Sequence, residues 1–405
     1  MTALRRATVL VAAGALALMG LAGPAGAQVR PQVNSSWAQF QGNAAHTGDE
    51  PGEDSVTAAN VDQLSVAWTM DLSGPPDFSQ VAVSGGVAYL ASGDTVTAID
   101  VATGAQVWQT TLPGDVSGTP AMDGGLLLLN EAVSNGAVRP RYRYFVVALS
   151  TVTGAMAWKH HSSTEPFGSI TVASGRAYLS TGSQVVALGV PAGKQLWVSP
   201  VVSTCVTSQP TVSDGLVVVG SDVTALNASN GTVAWTHPFG TACNGGSQTP
   251  WMPAVSHGRV YAGLYSGIAA LNLTTGALVW KNSSVRAVID PLSLADHVVI
   301  GDGYPRSKHH PALYGLNQAT GATEWESTTD PGPATVATFG SLSWGMAGGP
   351  SITQAVALDP LTGTQAYASA SFTEYEQNLA PVVAAGHVFV NTDYELICLA
   401  LPSGD

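Results

Sequence analysis

The sequence predicts an all-β fold: an eight-bladed β-propeller of four-stranded antiparallel blades, closed by an N-terminal strand completing the C-terminal blade. Three observations predict it. One phrase of eleven residues occurs seven times, as AIDVATGAQVW (98–108), ALSTVTGAMAW (148–158), ALGVPAGKQLW (187–197), ALNASNGTVAW (225–235), ALNLTTGALVW (270–280), GLNQATGATEW (315–325) and ALDPLTGTQAY (357–367). The copies start 38 to 50 residues apart, the period of four-stranded propeller blades. The two ends are complementary halves of an eighth copy. CLALPSGD (398–405) has the turn but no Trp, and SVAWTMD (65–71) has the Trp but no turn; Trp68 precedes Trp108 by one repeat length, 40 residues. A seven-bladed ring is the alternative, and it would leave two strand edges unpaired.

The unit 197–235 shows the elements in order. Residues 204–212 can form a first strand, Ser213-Asp214-Gly215 a tight turn, 216–220 an apolar second strand and 223–227 a third. Ser229-Asn230-Gly231 then turns the chain into a fourth strand that begins at 232–235. Asp-Gly and Asn-Gly supply the positive φ of hairpin turns. The same need explains the glycines at 104, 154, 193, 231, 276, 321 and 363 (Gly104, Gly154, Gly193, Gly231, Gly276, Gly321, Gly363). Asp100, Asn227, Asn272, Asn317 and Asp359 are placed to close Asx-turns. Trp68, Trp108, Trp158, Trp197, Trp235, Trp280 and Trp325 fall on the outermost strand, where each can wedge between blades. A buried Trp hides roughly 150–250 Å², worth about 4–6 kcal/mol at most. A catalytic reading of these positions fails on number, because one active site does not need seven copies.

Residues 1–27 read as a secretory leader. Arg5-Arg6 precede an apolar run rich in Ala and Gly, and Ala25-Gly26-Ala27 offers a cleavage site before Gln28. The expected organisation is a leader (1–27), a lead-in segment (28–62) and one propeller (63–405), exported to a periplasmic or extracellular location. No segment reads as a membrane span. The chain carries 14 Lys and Arg against 27 Asp and Glu, for a net charge of −13, which argues against a nucleic-acid partner. A monomer is expected. Cys205 and Cys243 each lie eight residues after a repeat Trp. In an exported chain they are candidates for a disulfide between neighbouring repeats, or two free thiols if their Cα atoms lie too far apart. Cys398 sits in an apolar strand and reads as a buried thiol.

The A-L-[DN]-x-x-T-G-x-x-x-W phrase resembles the pyrroloquinoline-quinone (PQQ) repeat family. That family includes eight-bladed quinoprotein alcohol dehydrogenases and the propeller lipoprotein of the bacterial outer-membrane β-barrel assembly machinery. Residues 37–48 (WAQFQGNAAHTG) and 60–68 (NVDQLSVAW) look like the lead-in of both. The resemblance implies the fold and leaves the cofactor open. The dehydrogenases carry a vicinal Cys pair and hold Ca²⁺ through a Glu and an Asn near a catalytic Asp. This chain has no adjacent cysteines, and no stretch matches those ligands. The expectation is therefore no catalytic residue, no metal and no cofactor. A divergent PQQ- and Ca²⁺-using alcohol or sugar dehydrogenase is the alternative. The lipoprotein's anchoring Cys is absent near the cleavage site, which puts tethering in doubt.

In a propeller the turns between first and second strands and between third and fourth share one face, and the connections between second and third strands and between blades share the other. The long connections fall on the second face: 131–144 (EAVSNGAVRPRYRY), 302–311 (DGYPRSKHHP), 159–167, 237–251 and 327–335. Loop variation on a rigid scaffold is where binding resides. The candidates for gripping a protein or an extracellular polymer are Arg139, Arg141, Tyr142, Arg143, His160, His161, Trp251, Asp302, Tyr304, Arg306, His309 and His310. Ordinary solvated hairpins are the alternative reading. Neighbouring His residues on a strand point to opposite faces and do not share an ion. Glu131, Glu165 and Glu374 are scattered acids that nothing in the sequence pairs.

Overall fold

The computed structural model describes residues 36–72, 79–136, 141–163, 166–181, 183–200, 209–220, 222–239, 252–264, 266–286, 291–305, 312–327, 336–349, 352–372, 379–392 and 394–402. These form eight antiparallel sheets in chain order. Blade 1 runs outward through Ala82–Ser84, Val87–Ser92, Thr95–Asp100 and Gln106–Thr111. The inner strand is buried and the outer strand alternates with solvent, which fixes which edge faces the axis. Blades 2 to 5 repeat this plan. Blade 6 gains the short strand Val285–Arg286, and blade 7 gains Asp49–Glu50, paired in parallel with Val336–Phe339.

Blade 8 is composite. Val382–Ala384, His387–Asn391 and Glu395–Ala400 supply its three inner strands, and Ser65–Asp71 is the fourth. The N-terminal strand therefore closes the ring, as the two half-copies predicted. The register shows that the alignment of the ends is right. In every blade the small first residue of the phrase faces the aromatic at its end: Ala98 with Trp108, Ala148 with Trp158, Ala187 with Trp197, and so on to Ala357 with Tyr367. Cys398 takes the same slot opposite Trp68.

The phrase does more than turn the chain. Each Trp Nε1 donates to a backbone carbonyl of the next blade, at Val101, Thr151, Val190, Ala228, Leu273, Gln318 and Pro360, over 2.7–3.1 Å. Its ring then lies flat against the next blade's turn glycine, so that a Cβ on Gly104, Gly231 or Gly363 would overlap Trp68, Trp197 or Trp325. These glycines thus answer two demands at once, a left-handed φ and a contact surface for indole. Asp100, Asn272, Asn317 and Asp359 accept backbone N–H groups in their turns as expected; Asn227 instead donates to Thr232.

A pair of substitutions separates the two demands. Gly215 has φ +75° and open space around it, whereas Gly231 has φ +74° and the Trp197 ring. Gly215→Ala is expected to cost about 1 kcal/mol, the penalty of the left-handed region alone. Gly231→Ala should cost about 2–4 kcal/mol, because overpacking adds to it. Equal denaturation midpoints for the two variants would contradict the indole contact.

The seam of the ring is its most continuous apolar region. Trp37, Val56 and Val61 of the lead-in pack with Phe339 and Trp344 of blade 7, Phe389 and Cys398 of blade 8, and Val83 and Ile99 of blade 1. Tyr367, which replaces Trp in the seventh phrase, packs against this cluster with its ring 5.8 Å from Trp344. Some expected boundaries move. The first strand of blade 4 is Thr211–Ser213, shorter than expected among the described residues. Residues 131–134 and 142–144, expected in a loop, extend two strands of blade 2, Leu126–Ser134 and Tyr142–Ser150. Residues 302–305 likewise lengthen a strand of blade 6, Val298–Pro305.

Candidate functional site

The lead-in follows the inner strands around the axis. Trp37 exchanges backbone bonds with Val83 of blade 1, and Met122 N–H of blade 2 donates to Ala38. Gln39 pairs through its side-chain amide with the Val172 backbone of blade 3. Val212, Val255, Leu294 and Thr338, the equivalent residues of blades 4 to 7, donate to the carbonyls of Ala44, Ala45, Thr47 and Gly48 over 2.6–2.9 Å. Gly386 N–H of blade 8 reaches the Glu53 carboxylate at 3.3 Å. The short residues Ala38, Ala44, Ala45 and Gly48 let the segment approach each strand end closely. Gln41 and His46 turn it at positive φ, 55° and 48°. One end of the axis is thus occupied by the chain itself.

His46 is buried there between blades 3 and 4. Nδ1 lies 3.0 Å from Thr211 Oγ1, and Nε2 lies 3.1 Å from Thr171 Oγ1 and 3.4 Å from Gln209 Nε2. Both threonine hydroxyls donate onward, to the carbonyls of Pro210 and Pro253. Burial lowers the imidazole pKa from 6.5 to about 3. Residues 36–64 carry no Lys or Arg, and among the described inner strands only the short Val285–Arg286 of blade 6 does.

The opposite, long-loop face carries the blade 2 hairpin. Its strands alternate, so Arg143 and Phe145 share one side while Tyr142 and Tyr144 share the other. The two tyrosine rings stack with centroids 6.3 Å apart. Behind the tip, Lys159 forms an ion pair with the buried carboxylate of Glu131. The ammonium lies 4.0 Å from the Phe145 ring centre, with the Arg143 guanidinium at 5.7 Å and the His161 ring at 5.4 Å. Cation–π contacts of this kind stiffen the base of the hairpin. Arg141, Tyr142 and Arg143 are exposed at its end.

The structure divides the other expected residues. His160 and His161 point to opposite sides of their strand, opposite Val146 and Phe145. Burial lowers the His160 pKa, and its bond to the Gly193 backbone ties it to the next blade's turn. His160 therefore serves the blade contact, and His161 the hairpin. Asp302 is buried in its strand, and Tyr304 pairs through its backbone with Arg286. Arg139, Trp251, Arg306, His309, His310, Cys205, Cys243, Glu165 and Glu374 lie outside the described residues. Cys398 is a buried thiol, pushed up to about 12 by desolvation. Sequence reasoning missed Lys159, the partner of Glu131, and the axial role of His46. It also assigned all binding to the long-loop face, whereas a cavity of about 620 Å³ opens on the short-turn face beside the lead-in. Among the described residues no group of three or more His, Cys, Asp or Glu is placed to hold a metal ion, and no helix is long and apolar enough to cross a membrane.

The repeat pattern of the PQQ-type family described as outer membrane protein assembly factor BamB matches residues 52–166, 143–283 and 220–405. The chain belongs to this family. The BamB of Burkholderia pseudomallei (strain K96243) is 25% identical over 288 residues, which span 58% of this chain and 74% of that protein. The crystal structure of BamB from Moraxella catarrhalis superposes with a TM-score of 0.64 at 16% identity, covering 84% of this chain and 99% of that one. The quinohemoprotein alcohol dehydrogenase of Comamonas testosteroni superposes with a TM-score of 0.71 at 14% identity, covering 92% and 81%. At such identities these superpositions establish a shared fold and nothing about chemistry. What distinguishes this BamB-like ring is read from its own residues.

Proposed function

We propose that this chain is an exported, non-catalytic propeller, secreted or periplasmic, that docks a partner protein through its long-loop face. The observation that carries the reading is the blade 2 hairpin. It presents two arginines and a stacked tyrosine pair on a base held by the Glu131–Lys159 ion pair and Phe145. Exposed Arg and Tyr on a rigid element are the residue types that dominate protein interfaces. The relatives are assembly factors by name, and a BamB-like ring that binds other proteins needs no cofactor to do so.

A quinone-using oxidoreductase is the second reading, favoured by the shared fold. The described residues do not fit its cofactor. A multiply anionic quinone at the axis requires convergent cations, and among the described residues the lead-in offers none and the inner strands one, Arg286. The described Arg176 and Arg259 are spent on inter-blade contacts, each donating to a carbonyl of the next blade. No catalytic step is derived through such a group.

Photo-crosslinking in the native host tests the docking reading. A crosslinker placed at Tyr142 is expected to trap one discrete protein, and one at Val152, exposed in a short turn of the same blade, should not. Equal yields from both positions, or no adduct from Tyr142, would overturn it.

A further inference from the structure

We propose that the cavity on the short-turn face, bounded by the lead-in and the turns of blades 5, 6 and 7, is a docking site for a basic side chain on a segment of a partner protein. This goes beyond the hairpin reading and does not depend on it, since the two sites lie on opposite faces. The cavity measures about 620 Å³, within the range of pre-formed ligand pockets. Its walls come from six separate pieces of chain, the lead-in and five stretches of blades 5, 6 and 7.

Three carboxylates line it, Asp49 from the lead-in, Asp296 from blade 6 and Asp359 from blade 7. They are not equivalent. Asp359 already accepts the Leu361 N–H, and Asp296 meets His297. Among the described residues Asp49 finds neither a hydrogen bond nor an ion pair for its carboxylate, although its backbone is held in parallel register opposite Thr338. It is half-buried, and burial, aided by the neighbouring Glu50, raises its pKa to about 7. A fixed, partly desolvated carboxyl without a partner is what a binding site holds and a structural ion pair does not. Among the described residues no Lys or Arg lines the cavity, and the one imidazole there, His257, is bonded to Ser256.

The kind of cation follows from the rest of the lining. The described acids and histidines are not grouped closely enough to hold a metal ion. Pro51, Ala58 and Leu361 supply exposed apolar surface beside the carboxylates. A Lys or Arg matches both parts, with its methylene stem on the apolar wall and its charged head among the acids. The acidic chain, net −13, favours a basic partner over a second copy of itself.

Calorimetric titration of the full chain with acetyl-Leu-Lys-Leu-Lys-Leu-amide, and with the same peptide carrying Gln for Lys, tests this. The Lys peptide is expected to bind saturably and to weaken with salt, and the Gln peptide to bind at least about tenfold more weakly. Asp49→Asn should weaken the Lys peptide about tenfold. That substitution removes a poorly solvated charge and leaves the strand pairing intact, so it is expected to fold; Asp296→Asn, on an exposed turn, should cost about threefold and serves as the second variant. Hydrogen exchange should slow in the presence of the Lys peptide over 256–258, 294–297 and 340–342. Equal affinity for the two peptides, equal affinity of Asp49→Asn and the parent, protection confined to the blade 2 hairpin, or a dimer that Asp49→Asn dissolves would each overturn the assignment. Failure here would leave the crosslinking result at Tyr142 untouched.

Discussion

Trp68→Ala is expected to destabilise the ring by about 3–5 kcal/mol, the range for removing a large packed aromatic. The argument rests on where Trp68 sits. It belongs to the strand that arrives from the N-terminal end and completes blade 8. Its indole N–H donates to Val101 of blade 1 at 3.0 Å, and its ring covers Gly104 and packs 6.0 Å from Phe389. One side chain therefore joins blade 8 to blade 1 and holds the closing strand in place. Trp68→Phe should recover most of the packing and lose only the hydrogen bond, about 1 kcal/mol. Amide exchange over Ser65–Asp71 should accelerate in Trp68→Ala more than in Trp197→Ala, whose cost is similar but whose strand is held by chain continuity. Global stability unchanged within about 1 kcal/mol would contradict the closure.

His46 and Asp49 should pull the pH dependence of stability in opposite directions. The folded pKa of His46, about 3, lies below the 6.5 of the unfolded chain. Between those values the unfolded state binds more protons, so stability falls as pH falls. The contribution is fully present above pH 6.5 and is lost as pH drops toward 3, up to about 5 kcal/mol in all. Asp49 acts with the opposite sign. Its folded pKa, about 7, lies above 3.8, so its contribution is complete below pH 4 and is lost as pH rises through 7. Between pH 8 and pH 4 the two contributions nearly cancel in the parent, so its denaturation midpoints should change little through them. In Asp49→Asn the opposing contribution is gone and a steep acid limb should appear, whereas in His46→Asn, at some cost at neutral pH, stability should rise toward pH 4. A pH profile identical in Asp49→Asn, His46→Asn and the parent would contradict both assignments.

The ring was legible in the sequence because a repeat writes its interface as often as its blade. The pairing of Cys398 with Trp68 could be foreseen from two half-phrases that no turn connected. The second duty of Gly231 could not, since the phrase records a need for positive φ but not the neighbouring ring that touches it. Arg141 to Tyr144 read as loop because their polarity outweighed their alternation, yet R-Y-R-Y alternates as a strand does, and the blade 2 strands run on through it. The course of residues 37–53 was hidden for a different reason. Most of its contacts are backbone bonds to the inner strands, which almost any residue can make, so only Trp37, Gln39, His46 and Glu53 carry a side-chain trace of it. The cavity beside Asp49 exists because this segment crosses the short-turn face, and for that reason the sequence pointed only to the other one.

The central claim is that the axis belongs to the chain itself and the ring works by binding. The most direct measurement is a titration of the purified protein with pyrroloquinoline quinone and Ca²⁺, followed by tryptophan quenching, with dye-linked alcohol oxidation assayed alongside. The account predicts no saturable quenching and no turnover. Saturation at micromolar quinone, accompanied by alcohol oxidation, would contradict it and make the chain a divergent quinoprotein.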